Sequence, residues 1–277
     1  MNMLQTIVAK ALADMHDREK CVSMEQLKQV ACHQGEARNV IAALKGSAAV
    51  SIIAELKRAC PEKGDLAPIP DPAELAGQYE AGGASVISCV TEHHFYKGSL
   101  EDFRQVRANV DIPLMRKDFI VHPYQVHEAR AYGADMVTLI VKALPQNALV
   151  ALVERTHSLG MTALVEAHSR LEALRALEAG AKVVGINARD LATMDMNMEN
   201  FAQIVDVIPE GVVAVAESGV RSARDVFDYA SQGADAIMIG EALVTTGEPR
   251  QTVADMVAAA SHPALDRSRR ARIAKEI

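Results

Sequence analysis

Charged and polar side chains stand at the ends of five apolar runs in this sequence, and a glycine stands at the end of a sixth. Glu55 and Lys57 close the first run and are two residues apart, so on a β-strand both side chains lie on the same face. A carboxylate and an ammonium group held together can accept and donate protons near neutral pH. The other five runs end in Lys117 with Asp118, in Glu166, in Asn187 with Arg189 two residues later, in Glu217 with Ser218, and in Gly240. These residues predict acid–base chemistry on a bound substrate.

Two glycine-containing segments predict where an anion binds. Glu217, Ser218 and Gly219 follow the seventh apolar run, and Gly240 and Glu241 follow the eighth. A glycine lets the backbone approach a ligand, and a helix is expected to begin after each segment. Backbone N–H groups at a helix N-terminus bind phosphate without a nearby cation.

Other reactive side chains are interpreted less specifically. Cys60 lies in the loop after the first run and could act as a nucleophile, but no partner histidine is evident. His93 and His94 lack a nearby ligand set, so no metal is predicted. No glycine-rich dinucleotide motif or P-loop follows a strand, so no cofactor is predicted. Four histidines are assigned to helix surfaces or caps: His122, His127, His157 and His168.

Eight short apolar runs, separated by amphipathic stretches, must position these residues. Near-continuous apolar runs are typical of parallel strands buried on both faces. The predicted strands cover residues 50–56, 85–90, 112–116, 136–141, 162–165, 183–186, 212–216 and 236–239. The alternation predicts an α/β protein, a closed (β/α)8 TIM barrel, in which the carboxyl ends of the strands form one rim.

A Gly-Ala repeat supports the barrel. It begins at Gly83, Gly133, Gly180 and Gly233, with separations of 50, 47 and 53 residues. Each glycine stands where a helix must end, and a left-handed backbone is free of strain for glycine. Each repeat covers two strand–helix units, so four repeats account for eight strands.

The length of 277 residues fits a single domain with two additions. We assign residues 1–49 to an N-terminal helical extension, with Ser23 as a helix cap, that covers one end of the barrel. Residues 50–260 form the barrel, and residues 261–277 form a basic tail. The proline-rich connection 59–72 is expected to be a loop over the active face.

Composition excludes several classes of protein. A net charge of −7, with 4% aromatic residues and no Trp, argues against nucleic-acid binding, so an anionic substrate needs local cations. No run approaches the ~18 apolar residues that span a bilayer. The four cysteines form no CxxC pair, and residues 1–11 lack a secretory signal. We therefore expect a cytoplasmic protein with free thiols.

The motifs resemble those of the indole-3-glycerol-phosphate synthases, enzymes of tryptophan biosynthesis. The resemblance extends over residues 4–257 and rests on the blocks 53–64, 98–100, 114–121, 164–168, 185–191 and 216–219. It implies a carbon–carbon lyase that decarboxylates, cyclises and dehydrates 1-(2-carboxyphenylamino)-1-deoxyribulose 5-phosphate without metal or cofactor. The only partner implied is this small phosphorylated aromatic substrate, and we expect a monomer.

The resemblance also implies roles for individual residues. Lys117 matches the general acid of ring closure, while Glu166 and Lys57 match acid–base groups of the dehydration, the division among the three being open. Glu55 and Asn187 match orienting groups. The remaining matches are Glu217 and Ser218 in the pocket, and Arg189, Gly219 and Gly240 near the phosphate.

The sequence departs from the family pattern near the phosphate. Cys60 replaces the usual serine, and a thiol is a weaker donor. Glu62 and Lys63 are unusual after the proline, and Glu241 stands where many relatives have serine. These changes affect phosphate binding more than the chemistry.

Two alternative functions are weighed. A related sugar-phosphate isomerase would need an acid–base pair at strand ends, often Cys with Asp, whereas Cys60 is in a loop and Asn187 ends the sixth strand. A barrel that binds a phosphorylated ligand only in a regulatory role would not need the complete set of strand-end charges.

Overall fold

The computed structural model describes residues 2–46 and 49–265. Most of the predicted basic tail, residues 266–277, lies outside the described residues. The four cysteines are free thiols, as expected. None of the described helices combines the length and hydropathy of a membrane span.

Eight parallel strands close into a barrel, which confirms the predicted fold. Each strand pairs with its neighbours in the chain, and the first also pairs with the last. The strands are β1 (Ser51–Leu56), β2 (Val86–Val90), β3 (Leu114–Lys117), β4 (Met136–Ile140), β5 (Thr162–Ala167), β6 (Val183–Asn187), β7 (Val213–Glu217) and β8 (Ala236–Ile239). Predicted and observed ends differ by up to two residues, and most of the polar end residues belong to the strands themselves.

Helices precede the barrel and follow its strands. The first three are α1 (Met3–Cys21), α2 (Met24–His33) and α3 (Val40–Lys45). The others are α4 (Pro72–Ala81), α5 (Leu100–Arg107), α6 (Pro123–Ala131), α7 (Gln146–Ser158), α8 (Arg170–Glu178), α9 (Asn200–Ile204), α10 (Ala223–Ser231), α11 (Glu241–Val244) and α12 (Pro249–Ala260). Short 3-10 turns cover Val141–Ala143 and Val205–Val207. Ser23 caps α2 through a reciprocal pair with Gln26, as predicted.

The Gly-Ala repeat has the predicted backbone geometry. Gly83, Gly133, Gly180 and Gly233 have φ values of 98°, 86°, 84° and 104°. They end the helices before β2, β4, β6 and β8. The repeat therefore marks every second strand–helix unit of the barrel.

Side chains alternate between the barrel interior and the surrounding helices, and this alternation aims the charged residues. The interior apolar cluster includes Ile53, Met115, Leu164 and Val215. Two residues further along the same strands stand Glu55, Lys117, Glu166 and Glu217. Because the side-chain period of a strand is two, these four charged groups also face the barrel axis, one level above the apolar cluster.

The N-terminal helices do not all cover the same end of the barrel. Val40 and Leu44 of α3 join the interior cluster, and Ser51 Oγ donates to the carbonyl of Leu44, so α3 covers the amino ends of the strands. Helix α1 instead packs its apolar side, including Ile7, against Phe119 and other residues beyond the carboxyl ends of the strands. The prediction that the extension covers one end is correct only for α3, because the apolar face of α1 fits the opposite rim.

The first connection contains more structure than the predicted loop. Ala59–Cys60 and Gly64–Asp65 form a short antiparallel hairpin. Arg58 fastens its base by donating to Asp102 at 2.5 and 3.1 Å and to the carbonyl of Ile69 at 2.8 Å. The hairpin reaches across the carboxyl rim of the barrel.

A buried ion-pair network lies outside the barrel beside Lys117. Arg116 is fully buried and faces away from the barrel axis. Its guanidinium donates to Asp118 at 2.8 Å and to Glu128 of α6 at 2.9 Å. Arg18 of α1 donates to the same Glu128 at 2.7 and 3.0 Å. The network therefore ties the N-terminal extension to the end of β3.

We predict that Arg116→Met destabilises the protein by about 3–5 kcal/mol, because it leaves buried carboxylates without their cation. Urea unfolding followed by circular dichroism measures this free energy. Arg104→Met is the matched control, since Arg104 pairs with Glu101 on the surface and such pairs contribute at most ~1 kcal/mol. Equal losses in the two variants would show that the buried network does not stabilise the fold.

Candidate active site

A cavity of about 380 Å³ opens at the carboxyl ends of the strands. It brings together all of the residues predicted for the site: Glu55, Lys57, Cys60, Lys117, Glu166, Asn187, Arg189, Glu217, Ser218, Gly219, Gly240 and Glu241.

Lys117 lies at the centre of the charged groups. Its Nζ donates to Glu166 Oε2 at 2.8 Å and to Glu217 Oε2 at 2.7 Å. Burial opposes the charge on the ammonium, but Glu166, Glu217 and Glu55 outweigh it and raise the pKa of Lys117 well above its usual value. Lys117 is therefore a cation at neutral pH and a proton donor directed into the cavity.

The two carboxylates beside Lys117 have pKa values shifted in opposite directions. Burial opposes ionisation of Glu166, but Lys117 and His168 lower its pKa well below the usual range. Burial raises the pKa of Glu217 to about 7, and the nearby charge of Glu166 adds to this effect. Like charges around one cation thus leave one carboxylate ionised and the other titrating near neutrality.

The side chain of Glu217 has room inside the barrel because the residue beside it on the neighbouring strand β6 is a glycine. A Cβ on Gly185 of β6 would lie 1.8 Å from Glu217 Oε1. That oxygen is buried and has no hydrogen-bond partner among the described residues. The role of Gly185 could not be predicted from the sequence, because a glycine inside a strand gives no sign of which side chain needs the space.

Glu55 and Lys57 form the predicted pair. Lys57 Nζ lies 2.8 Å from Glu55 Oε1, and Lys57 remains partly exposed to the cavity while Glu55 is buried. A Cβ on Gly240 would lie 2.5 Å from the same carboxylate oxygen. The missing side chain of Gly240 therefore leaves room for Glu55, and a phosphate contact at Gly240 stays a prediction.

Asn187 joins three parts of the site. Its Nδ2 donates to Glu166 Oε1 at 2.8 Å, and its Oδ1 accepts from Ser218 Oγ at 2.8 Å and from the backbone N–H of Arg189 at 2.9 Å. These hydrogen bonds fit the orienting role predicted for Asn187, which stays a prediction. It links the acid–base groups to the segments expected to hold phosphate.

The segments after β7 and β8 begin helices, as predicted. Ser218 and Gly219 are both left-handed, with φ of 71° and 84°, and α10 begins four residues after Gly219. Gly240 is the N-cap of the short helix α11, whose first residue is Glu241. A Cβ on Gly219 would lie 2.3 Å from Met198 Sδ, so this glycine also makes room for a protein side chain.

The hairpin after β1 places two charged residues at the end of the cavity where the segments after β7 and β8 lie. Both residues are departures from the family pattern. Glu62 forms an ion pair with Arg189, and Lys63 donates to Glu241 at 2.5 Å. Cys60 is half-buried at the base of the same hairpin. The hairpin therefore lies over the cavity and engages Arg189 before any ligand does.

His168 was wrongly assigned to a helix surface or cap. Its side chain is 4% exposed and lies between Glu166 and Glu172. It stands two residues beyond Glu166, the same spacing that correctly paired Glu55 with Lys57. That spacing could have identified it.

The remaining wall of the cavity is apolar. It is formed by side chains that include Tyr96, Phe119, Ile140, Leu191 and Met238. Such a wall can hold an aromatic ring opposite the charged groups. Within residues 2–46 and 49–265, no three His, Cys, Asp or Glu side chains are grouped so as to hold a metal ion.

Comparisons with known proteins identify the family of the chain. The family model described as indole-3-glycerol phosphate synthase matches residues 4–256. The chain is 55% identical to the indole-3-glycerol phosphate synthase of Beutenbergia cavernae, covering 96% of this chain and 98% of the relative. It is 52% identical to the enzyme of that name from Streptomyces griseus subsp. griseus, covering 97% and 100%.

Solved structures support the fold alone. A thiamine phosphate pyrophosphorylase from Pyrococcus furiosus superimposes with a TM-score of 0.59 at 18% identity, covering 76% of this chain and 95% of that one. The near full-length family match and the identities above 50% establish the family, which a barrel fold alone does not. The chain belongs to the indole-3-glycerol phosphate synthase family.

Proposed function

We propose that the protein converts 1-(2-carboxyphenylamino)-1-deoxyribulose 5-phosphate into indole-3-glycerol phosphate, CO₂ and water. The observation that carries this proposal is the charged Lys117 held between Glu166 and Glu217 at the floor of a half-apolar cavity. The reaction needs a cationic acid, a second acid–base pair and a surface for an aromatic ring, and the cavity supplies all three.

Ring closure requires an acid beside the substrate's carbonyl oxygen. The aromatic carbon that carries the carboxylate attacks the carbonyl carbon, and the carbonyl oxygen becomes a hydroxyl by taking a proton. Lys117 is the donor in this proposal, because its pKa keeps it charged and its Nζ faces the cavity. Loss of CO₂ then restores the aromatic ring, with the electron pair of the broken C–C bond returning to the ring.

Dehydration requires both an acid and a base. The hydroxyl leaves as water after taking a proton, and a proton is lost from the neighbouring carbon to form the indole double bond. Glu166 is ionised and can accept that proton, while Lys57, fixed by Glu55, can protonate the hydroxyl. Before decarboxylation, Lys57 can also bind the carboxylate that leaves.

Phosphate binding falls to the other end of the cavity. Arg189 supplies a cation, and the backbone after β7 and β8 supplies N–H donors at Gly219 and Glu241. Cys60 contributes a weak thiol donor where a hydroxyl would bind more tightly. This assignment agrees with a net charge of −7, which makes local capture of an anion necessary.

The geometry does not favour the alternative isomerase. Cys60 lies in the hairpin, and β6 ends in Asn187, so these positions form no Cys–Asp pair. Chromatography of the product separates the two activities directly. A monomeric state and a cytoplasmic location stay predictions.

We predict that Lys117→Met lowers kcat by about 10²–10⁴-fold, the usual contribution of a positioned general acid. Indole fluorescence reports product formation, and the absence of Trp keeps the protein background low. Lys182→Met, at an exposed position at the opposite end of the barrel, is the matched control and should keep full activity.

Circular dichroism distinguishes lost chemistry from lost folding in Lys117→Met. A folded Lys117→Met protein that turns over at the wild-type rate would refute the assignment of the acid. A wild-type protein that forms no indole product would refute the proposed reaction itself.

We predict that Glu62→Gln tightens the binding of inorganic phosphate about two- to fivefold. The carboxylate of Glu62 competes with an incoming anion for Arg189, and a partly exposed ion pair contributes up to ~1 kcal/mol. Calorimetry measures the Kd. Glu74→Gln on the exposed side of α4 is the control. Unchanged or weaker phosphate binding in Glu62→Gln alone would contradict the competition.

A further inference from the structure

His168 is a buried ionisable group that the proposed chemistry does not use. Its Nε2 lies 3.4 Å from Glu166 Oε1, and its Nδ1 lies 3.2 Å from Glu172 Oε2. The side chain does not line the cavity. His168 therefore contacts a residue of the site from behind, away from the substrate.

The backbone of His168 is held by hydrogen bonds on both sides. The backbone N–H of His168 donates to Glu172 Oε2 at 2.8 Å, and its carbonyl accepts from Asn200 Nδ2 at 3.3 Å. Glu172 is itself fixed, because it lies in the first turn of α8 and Ser169 Oγ accepts its backbone N–H at 3.2 Å. The position of the imidazole is thus set by the start of α8 and by α9.

The charges around the ring favour the imidazolium. Glu166 of β5 and Glu172 of α8 face its two nitrogens. The positive charge of Lys142, in the 3-10 turn after β4, lowers the pKa of Glu172. Lys117 of β3 donates a hydrogen bond to Glu166. Burial opposes the charge on the ring, but the contacts with both carboxylates raise the pKa of His168 to about 10.

We propose that His168, held by Glu172, is a positioning residue that keeps Glu166 ionised and correctly oriented. The inference rests on the proposed function, in which Glu166 accepts a proton. Glu166 Oε1 lies between Asn187 and His168, while Oε2 is directed at Lys117. An imidazolium behind the carboxylate therefore stabilises the basic form without touching the substrate.

The proposal predicts a specific change in the pH profile. Without the imidazolium, the pKa of Glu166 rises, because an opposite charge within about 4–6 Å commonly lowers a carboxyl pKa by 1–3 units. In His168→Gln the acid limb of kcat should move up by about one pH unit or more, with KM little changed. His157→Gln is the matched control, since burial lowers the pKa of His157 and its removal takes away no charge.

Glu172→Gln keeps the packing of His168 and serves if His168→Gln fails to fold. It removes one of the two carboxylates at the ring, so it should lower the pKa of His168, which a pH titration of the ring followed by ¹⁵N NMR measures. A kcat profile of folded His168→Gln that superimposes on the wild type would overturn the proposal. So would a Glu172→Gln protein in which the pKa of His168 is unchanged.

A second readout does not depend on turnover. ¹⁵N NMR of the nine histidines, with His168→Gln to assign the signal, shows whether both ring nitrogens carry protons at pH 8. The proposal predicts an imidazolium at that pH, and a neutral ring would overturn it. If the wild type makes no indole product while the ring is charged, the proposed function fails and the electrostatic link between His168 and Glu166 stands.

Discussion

The site depends on one buried ammonium group. Lys117 can lose its hydration only because Glu166 and Glu217 lie within 2.8 Å of its Nζ. The ammonium in turn helps keep Glu166 ionised, while burial and the charge of Glu166 leave Glu217 titrating near neutrality. The barrel makes this arrangement possible, since alternate residues of β3, β5 and β7 all face its axis. Gly185 provides the room that the second carboxylate needs.

Much of this arrangement could be predicted from the sequence, because it follows from local rules. Apolar runs identified the eight strands, and polar residues at their carboxyl ends identified the rim. Contacts between distant segments could not be predicted in this way. Helix α1 packs against the carboxyl rim because its apolar face fits Phe119 there, which no spacing reveals. His168 is a different case, since the two-residue spacing from Glu166 was visible in the sequence but was not applied.

The two ends of the cavity are built on different physical principles. At the acid–base end, buried side chains from the strands fix one another, so their geometry does not depend on a ligand. At the end proposed to bind phosphate, the hairpin residues Glu62 and Lys63 pair with Arg189 and Glu241 across the rim. These pairs are partly exposed and therefore exchangeable. The departures from the family pattern are concentrated at this second end, so we expect them to affect anion binding more than the acid–base groups.

The most direct test of the account is the protonation state of Lys117 itself. Heteronuclear NMR of the lysine Nζ and Cε, assigned with Lys117→Met, follows this group through a pH titration. The account predicts that Lys117 remains an ammonium ion beyond pH 10.5, and that replacing Glu166 and Glu217 with glutamine lowers its pKa. A neutral amine at pH 7 in the wild-type protein would contradict the central role given to this cation.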